Sequence, residues 1–458
     1  SSIDNRRQIT PRQRILRPNF YDSIIASTSF KPAWRSFQLA FILLNLDGII
    51  CREDDPSWDA RNKMVDLVWF PTGGGKTEAY LGIIAFCILN RRLTQKESGG
   101  TTAIMRYTLR LLATQQFQRA TRLILALESI RQWDENKFGK TPINIGLYVG
   151  KDSLPNSAEG LKDEAKKWLE DKPSQIPLDR HECPWCGSRL TWKADDKKFA
   201  CTNAFCFHKE LPILLCDDYL YKTPPTLLFG TVDKFAQLAH SVSSEASKDS
   251  RRLFNWKGLT PDLIIQDELH LLSGPLGSAV GLFECAIDQL CTRLVKTGKS
   301  EIKVRPKIIS STATTRNTEL QIRALYGRGV NIFPKSGVDY DDSFYAFYKR
   351  DLQNTSYPYQ SKRKYIGILP TGRTSMYTQL RLASCCLAHR AIFERDNYDE
   401  IISANDELIK ACDYYHTLVG YYNSLKDVGT TDTQFSTEFP KYTRQIFNRV
   451  IRPEKMLH

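Results

Sequence analysis

A glycine-rich turn at residues 70–77 is the first stretch whose residue types could do chemistry. It reads FPTGGGKT, follows an apolar β-prone run at 65–70 and precedes an apolar segment of helical length at 79–89. This order is typical of a phosphate-binding loop, because backbone N–H groups and the positive end of the helix then face one anion. We therefore expect Lys76 to contact the β- and γ-phosphates of ATP and Thr77 to bind Mg²⁺. A glycine turn that binds nothing is the alternative.

Two adjacent carboxylates follow a second apolar run, in the stretch LIIQDELH at 263–270. Successive side chains of an extended chain point to opposite sides, so the two acids can have different roles. We expect Asp267 to hold Mg²⁺ and Glu268 to orient or deprotonate the attacking water. His270 is expected to link the nucleotide site to the next segment.

That next segment is a short β-prone run at 308–310 that ends in the letters STAT at 311–314. Its hydroxyl groups are expected to couple the nucleotide site to movement between two lobes, with a plain strand-end turn as the alternative. The predicted coupling residues are Thr312, Ala313 and Thr314.

A glutamine upstream of the glycine turn could recognise the base of the nucleotide. Gln38 opens an amphipathic segment at 37–46, and its amide could donate to N7 of adenine and accept from the N6 amine. Phe37 could pack on the base, whereas an exposed glutamine at a helix start is the alternative. The predicted nucleotide-binding residues are Gln38, Thr72, Gly73, Gly74, Gly75, Lys76, Thr77 and Asp267.

Two further loops are predicted to contact a nucleic-acid strand. The letters TLRLLATQ at 108–115 follow a β-prone run, and GTVDKF at 230–235 follows another. Loops at the carboxyl edge of a parallel sheet are where ligands bind. Side chains, backbone N–H groups and a lysine charge would supply the contacts to phosphates. The predicted residues are Thr108, Arg110, Gly230, Thr231 and Lys234.

Two short cysteine pairs predict a metal site between the core segments. They lie in HECPWCG at 181–187 and CTNAFC at 201–206. Four thiolates make a closed tetrahedral zinc site, which is structural rather than catalytic. The predicted ligands are Cys183, Cys186, Cys201 and Cys206, with His208 and Cys216 left open as substitutes for one of them. An accidental cluster of thiols is the alternative.

Composition limits the class of protein. The chain has 458 residues, of which 41% are hydrophobic and 25% charged, as in soluble globular proteins. Its formal net charge of +13 favours a polyanionic partner, most simply nucleic acid, with ordinary surface lysine as the alternative. No apolar run is long enough to span a bilayer, so no membrane association is expected. Twelve cysteines beside ATP chemistry indicate a reducing compartment and predict a cytoplasmic protein.

The order of these segments resembles that of superfamily 2 DNA/RNA helicases with a DExH box. More narrowly, the stretches 69–82, 106–120, 230–238 and 266–277 resemble the DrmA-type helicases of the bacterial DISARM anti-phage system. The pattern departs from the family at Tyr107, which stands where the motif usually has proline, and at Thr312, which replaces serine. The resemblance implies ATP-driven action on DNA, with a DrmB-type (DUF1998) partner protein and a cognate methyltransferase.

The predicted fold class is α/β. It comprises a RecA-like P-loop NTPase lobe with a parallel sheet, a zinc-knuckle insertion and the beginning of a second RecA-like lobe. A strand is expected at 365–369, a helix at 371–393, and a strand, a turn and a helix in succession within 414–425. The predicted domains are a basic N-terminal arm (1–33), lobe 1 (34–150 and 223–326), the zinc-binding insertion (151–222), an inter-lobe linker (327–364) and an incomplete lobe 2 (365–458).

The leading functional hypothesis is an ATP-dependent DNA helicase or translocase in phage defence. One alternative is a nucleic-acid-binding scaffold that uses ATP only as a conformational ligand, and another is a restriction-type translocase that moves along duplex without separating strands. The family's arginine-finger motif does not occur after residue 365, and Arg328 is only a superficial lookalike. The expectation is therefore that these 458 residues bind ATP but turn it over poorly.

Overall fold

The fold is described from a computed structural model, which covers two compact units, 1–348 and 349–458. The described residues are 33–50, 61–70, 73–108, 110–194, 197–237, 249–297, 300–312, 317–339, 342, 344–347, 365–403, 406–414 and 416–451. Within them, the side chains of residues 110–115 and of a few other positions are not described. The predicted N-terminal arm and most of the predicted linker lie outside these residues.

The first unit alternates strands and helices. The first part contains α1 (Ser36–Ile50), β1 (Met64–Trp69), α2 (Lys76–Thr94), β2 (Ala103–Tyr107), α3 (Arg110–Trp133), α4 (Glu135–Phe138), β3 (Ile145–Tyr148), α5 (Ala158–Leu169), β4 (Leu190–Lys193), β5 (Lys198–Cys201), β6 (Ile213–Leu214) and α6 (Asp217–Lys222). The remainder contains β7 (Leu227–Thr231), α7 (Val232–Ala236), β8 (Leu263–Gln266), α8 (Gly274–Leu290), β9 (Arg293–Thr297), β10 (Ser300–Val304), β11 (Lys307–Thr312), α9 (Thr318–Tyr326) and β12 (Gly329–Phe333).

Eight of these strands form one sheet in the order β12-β1-β11-β8-β2-β7-β3-β6. Every neighbouring pair is parallel. All the carboxyl ends therefore meet at one edge, where the loops after β1, β2, β7, β8 and β11 gather. The predicted α/β fold with a parallel sheet is confirmed.

The strands are buried on both faces, as expected for a parallel sheet covered by helices. Along β2, Ala103 and Met105 pack in a core with α2 and α3, whereas Ile104 packs in a second core with α8 and α9. Successive side chains alternate between the faces, so one apolar run supplies both cores. This explains why the strands read as continuous apolar stretches rather than as alternating ones.

Two short hairpins lie outside the sheet. Strands β4 and β5 pair antiparallel after the first cysteine pair, and β5 ends at Cys201 of the second pair. Strands β9 and β10 form a second antiparallel hairpin, which the sequence analysis did not predict. After the cysteine segment, Ile213–Leu214 pairs with β3. The main sheet therefore extends into the end of the segment that was predicted as an insertion.

The described part of the second unit is helical. It contains α10 (Ser375–Asp396), α11 (Tyr398–Ile402), α12 (Asp406–Tyr414), α13 (Leu425–Thr437) and α14 (Phe439–Ile451). The predicted helix at 371–393 is found, whereas α13 begins only at Leu425, where the predicted strand–turn–helix segment ends; no strand occurs among residues 365–403, 406–414 and 416–451. The predicted strands at 365–369 and near 414 are therefore wrong. Residues 365–369 are exposed without a pairing partner, and a strand needs a neighbour to satisfy its backbone.

No helix among the described residues has the length and apolar character needed to cross a bilayer.

Candidate functional site

The glycine turn adopts the local geometry of a phosphate-binding loop. Gly73 and Gly75 have φ angles of 80° and 96°, which side-chain-bearing residues rarely adopt. Helix α2 begins directly after Gly75, so its free N–H groups and positive dipole end face the turn. The glycine at position 75 is also needed for space, because a Cβ there would lie 2.7 Å from the Gln38 amide nitrogen. Thr72 lies outside the described residues.

Lys76 is buried at the start of α2 and points back into the turn. Its Nζ donates to the carbonyl of Phe70 at 2.9 Å and lies 3.5 Å from the carbonyl of Thr312. A cation this deeply buried needs partners of opposite polarity. The two carbonyls supply only partial charges, so a phosphate within reach would be a stronger partner.

Gln38 contacts the turn rather than lying free at a helix start. Its Nε2 donates to the carbonyl of Gly75 at 2.8 Å, and its Oε1 accepts from the backbone N–H of Arg35 at 2.8 Å. Arg35 in turn donates to the carbonyl of Gly74 at 2.7 Å. The suggestion that Phe37 packs on the base is not supported, because its ring is buried and stacks on Phe70 with centroids 3.9 Å apart.

Asp267 and Glu268 follow β8 at the same edge of the sheet. Oδ1 of Asp267 accepts from the Ser311 hydroxyl and, at 3.0 Å, from the backbone N–H of Glu268. Both bonds go to one of the two carboxylate oxygens. Thr77 and Asp267 line the same cavity. A hydroxyl and a carboxylate supply the hard oxygen ligands that Mg²⁺ prefers.

His270 lies between the acidic pair and the segment that follows β11. Its Nδ1 is 3.3 Å from Oε2 of Glu268 and 3.4 Å from Oγ1 of Thr312. One imidazole nitrogen therefore touches both the predicted water-orienting carboxylate and the predicted coupling threonine. Ala313 and Thr314 lie outside the described residues.

A cavity of about 550 Å³ is lined by residues of the glycine turn, of α1 and of the acidic pair. Its walls include Gln38, Lys76, Thr77, Asp267 and Glu268, which the sequence analysis had selected from stretches far apart in the chain. Other wall residues were missed, namely Arg35, Glu78, Tyr107, Gln116 and Arg119. Arg119 on α3 forms an ion pair with Glu78 on α2. No sequence signal marks that pair, because it depends on how the two helices pack.

The predicted strand-contacting residues fall into two groups. Thr108 lies at the carboxyl edge, and its buried hydroxyl has no hydrogen-bond partner among the described residues. Arg110 begins α3, and its side chain is not among those described. The backbone of both residues therefore follows the carboxyl end of β2, at the edge of the sheet where ligands of parallel sheets bind.

Gly230, Thr231 and Lys234 are placed differently. Gly230 and Thr231 are the last residues of β7, so the prediction that they lie in a loop is wrong. Gly230 is needed for packing, because a Cβ there would lie 2.6 Å from the carbonyl of Tyr148. Lys234 is buried, and its Nζ lies 2.7 Å from a carboxylate oxygen of Asp217. A phosphate contact by Lys234 would require this ion pair to open.

The four predicted zinc ligands converge. The sulfur atoms of Cys183, Cys186, Cys201 and Cys206 all lie within 4.8 Å of one another. Tetrahedral zinc with ~2.3 Å bonds would place sulfurs about 3.8 Å apart, so the cluster has the required size. Gly187, with a φ of 72°, allows the first knuckle to turn, and its N–H donates to the carbonyl of Cys183 at 2.8 Å.

The two residues left open as substitute ligands lie outside the cluster. His208 Nε2 is 2.8 Å from the Ser129 hydroxyl, and burial lowers the pKa of His208 to about 4, so its ring is neutral at pH 7. Cys216 is buried at the start of α6, and burial raises the pKa of its thiol to about 11. The cysteine quartet therefore suits zinc without either residue.

The sequence matches no family model. It is 37% identical over 446 residues to the DISARM protein DrmA of Bacillus paralicheniformis. This chain is similar to DrmA. The match covers 86% of the chain and 38% of DrmA, so the chain spans well under half of that protein's length.

Two solved structures have a partial likeness to this chain. The DUF1998 helicase MrfA bound to DNA and AMPPNP is 14% identical with a TM-score of 0.37, over 80% of this chain and 34% of MrfA. Mss116p bound to ssRNA and AMP-PNP is 13% identical with a TM-score of 0.36, over 71% of this chain and 44% of Mss116p.

Proposed function

We propose that this protein is an ATP-dependent DNA helicase or translocase of superfamily 2 that acts in DISARM-type phage defence. The observation that carries the proposal is one cavity at the carboxyl edge of the sheet. On one side it presents the glycine turn with Lys76 and Thr77, and on the other Asp267 and Glu268. The similarity to DrmA supports the defence role.

Each residue at the cavity would have a distinct role during hydrolysis. Lys76 would exchange the Phe70 carbonyl for a phosphate oxygen, which is the stronger acceptor. Thr77 and Asp267 would hold Mg²⁺, which neutralises negative charge on the phosphates when bound. Glu268 would orient the attacking water and accept its proton. His270, in contact with Glu268 and Thr312, would transmit the state of the site towards the segment after β11.

The nucleic-acid contact is proposed for the loop after β2. Thr108 and Arg110 follow Tyr107, a wall residue of the nucleotide cavity, and the net charge of +13 favours a polyanion. From the similarity to DrmA, we propose a DrmB-type protein and a cognate methyltransferase as partners in the cytoplasm. The cysteine quartet would hold a structural zinc ion that fixes the β4–β5 hairpin.

Steady-state ATP hydrolysis with and without DNA tests the proposal. Wild-type protein should hydrolyse ATP faster when single-stranded DNA is present. Lys76→Ala should lose hydrolysis by a factor of about 10²–10³, the usual effect of removing one preorganised electrostatic contact. Lys162→Ala is the matched control, since it removes an exposed lysine from α5 and should behave as wild type.

Three outcomes separate the hypotheses. Because these 458 residues are expected to turn ATP over poorly, the scaffold would be supported only if a protein of the length of DrmA bound ATP without DNA-stimulated phosphate release. Stimulation by duplex DNA with no strand separation would support the duplex translocase. Equal hydrolysis by Lys76→Ala and wild type would contradict the assignment of the cavity.

A further inference from the structure

Tyr107 occupies an unusual position between the two regions of the proposed function. It is the last residue of β2, which lies in the sheet between β8, leading to Asp267, and β7. Its side chain is 1% exposed, yet it forms part of the wall of the nucleotide cavity. A large polar side chain is therefore enclosed where the sheet edge meets the cavity.

The backbone fixes Tyr107 next to both neighbouring strands. The N–H of Asp267 donates to the carbonyl of Arg106 at 3.1 Å, which places the acidic pair beside the end of β2. On the other side Tyr107 pairs in register with Thr231, and its ring stacks on Phe229 of β7 with centroids 5.2 Å apart. The ring is thus held in place by packing that does not involve the hydroxyl.

The hydroxyl itself has no hydrogen-bond partner among the described residues. Burial raises the pKa of Tyr107 well above its usual range, and the Asp267 carboxylate raises it further through its charge and as a side-chain acceptor, so the hydroxyl faces that carboxylate without making a short hydrogen bond to it. A buried hydroxyl without a partner costs about 1–3 kcal/mol, which a purely structural phenylalanine would avoid. The hydroxyl therefore has a donor proton available beside the carboxylate that is proposed to hold the metal ion.

The next residue in the chain completes the arrangement. Thr108 follows Tyr107 directly, and its hydroxyl is also buried without a partner. Helix α3 begins two residues later at Arg110. A shift of the Thr108 loop on binding a phosphate would change the backbone torsion angles where Thr108 joins Tyr107, which is the shortest covalent route from the loop to the Tyr107 side chain.

We propose that Tyr107 is a positioning residue that couples the nucleic-acid loop to the nucleotide site. Its hydroxyl donates to the Asp267 carboxylate in one position of the Thr108 loop and not in the other. The inference deepens the proposed function and rests on it. Nucleic acid bound to the loop then changes how Asp267 is held and so changes the affinity for nucleotide. Bound nucleotide changes the affinity for nucleic acid by the same factor, because the coupling free energy between two sites is reciprocal.

The test is Tyr107→Phe, which removes the hydroxyl but keeps the ring stacked on Phe229. The readout is a binding ratio: the Kd of a fluorescent non-hydrolysable ATP analogue without DNA, divided by its Kd with saturating single-stranded DNA. Any change in affinity for nucleotide alone cancels in this ratio. We expect a wild-type ratio within the usual range of about 5- to 150-fold for coupled sites, and a Tyr107→Phe ratio close to one.

Tyr326→Phe is the matched control, because Tyr326 on α9 also carries a buried hydroxyl without a partner but packs in the other core. It should keep the wild-type ratio. A Tyr107→Phe ratio equal to wild type would overturn the inference, as would a wild-type ratio of one with both ligands bound. A wild-type protein that binds no nucleotide at all would instead overturn the proposed function.

Discussion

Glu268 shows at the scale of one residue how the site is built. Its φ and ψ are both 50°, in the left-handed region that costs a residue with a side chain about 1–3 kcal/mol. Three contacts hold it there: its N–H donates to Asp267, its carbonyl accepts from Leu271, and its carboxylate lies 3.3 Å from His270. Strain of this kind is found where a side chain must be aimed, which agrees with the water-orienting role proposed for Glu268.

Replacing that carboxylate should separate binding from hydrolysis. Glu268→Gln keeps the size of the side chain but cannot accept a proton, so hydrolysis should fall about 10²- to 10⁴-fold while nucleotide affinity is retained. Glu319→Gln, an exposed position on α9, is the control and should hydrolyse normally. The measurements are single-turnover phosphate release and nucleotide titration. Wild-type hydrolysis by Glu268→Gln would refute the role assigned to Glu268.

Arg328 illustrates the opposite case, in which a residue resembles a functional one but is structural. Its guanidinium donates to the carbonyls of Arg61 and Pro306 at 3.0 and 2.9 Å and pairs with Asp288 at 2.5 Å. Burial lowers its pKa to about 10. Committed to these partners within the first unit, Arg328 cannot act as an arginine finger without breaking them.

At the scale of elements, the β4–β5 hairpin is small and lies next to the cysteine cluster. Trp168 and Trp192 pack against Phe199 of β5, but the hairpin has only four residues in each strand. Such a small element buries too little apolar surface to be stable alone. Metal ligation would supply the missing stability, because the binding energy of a structural zinc ion contributes directly to folding.

Metal analysis tests this role of the cluster. Purified protein should contain about one zinc per chain, and Cys183→Ser should lose it because one of four thiolates is gone. Limited proteolysis should then cut between residues 183 and 206 first. Cys216→Ser is a demanding control, since this buried cysteine precedes α6, where serine is a good N-cap. Full zinc content in Cys183→Ser would show that the quartet is not the metal site.

At the scale of the whole molecule, the formal charge of +13 does not say which cations can reach a ligand. Arg61, Arg91 and Arg293 surround Asp262 at the start of β8, away from the carboxyl edge. Burial alone would raise the pKa of Asp262, but these arginines outweigh it and hold the pKa well below its usual range. Their charge serves the fold, so the proposed DNA contacts would come from other cations, such as Arg110 at the carboxyl edge.

The salt dependence of DNA binding measures those contacts. Each phosphate contact contributes about −0.7 to −0.9 to the slope of log affinity against log salt. Arg110→Ala should therefore weaken binding to all sequences alike and flatten the slope by about one contact. Lys162→Ala removes one positive charge elsewhere and should leave the slope unchanged. An effect confined to one DNA sequence would mean that Arg110 reads a base.

Much of the fold was predictable because its signals are local. Each of the apolar runs at 65–70, 101–107, 143–149, 226–229, 263–266 and 308–310 overlaps a strand of the parallel sheet. The glycine turn, the acidic pair and the two cysteine knuckles were also found from contiguous residues. In each case a few neighbouring residues determine the backbone geometry, so the sequence alone carries the information.

What the tertiary structure decided depends on partners distant in the chain. Only the packing of α1 on the turn brings Gln38 to Gly75, and only the strand order brings Tyr107 beside Asp267. Lys234 is an accessible cation by sequence but is buried against Asp217. Residues 365–369 include residue types that favour strands, but they have no neighbouring strand among the described residues. Pairing, burial and ionic partners are properties of long-range contacts, and no short stretch of sequence specifies which contacts form.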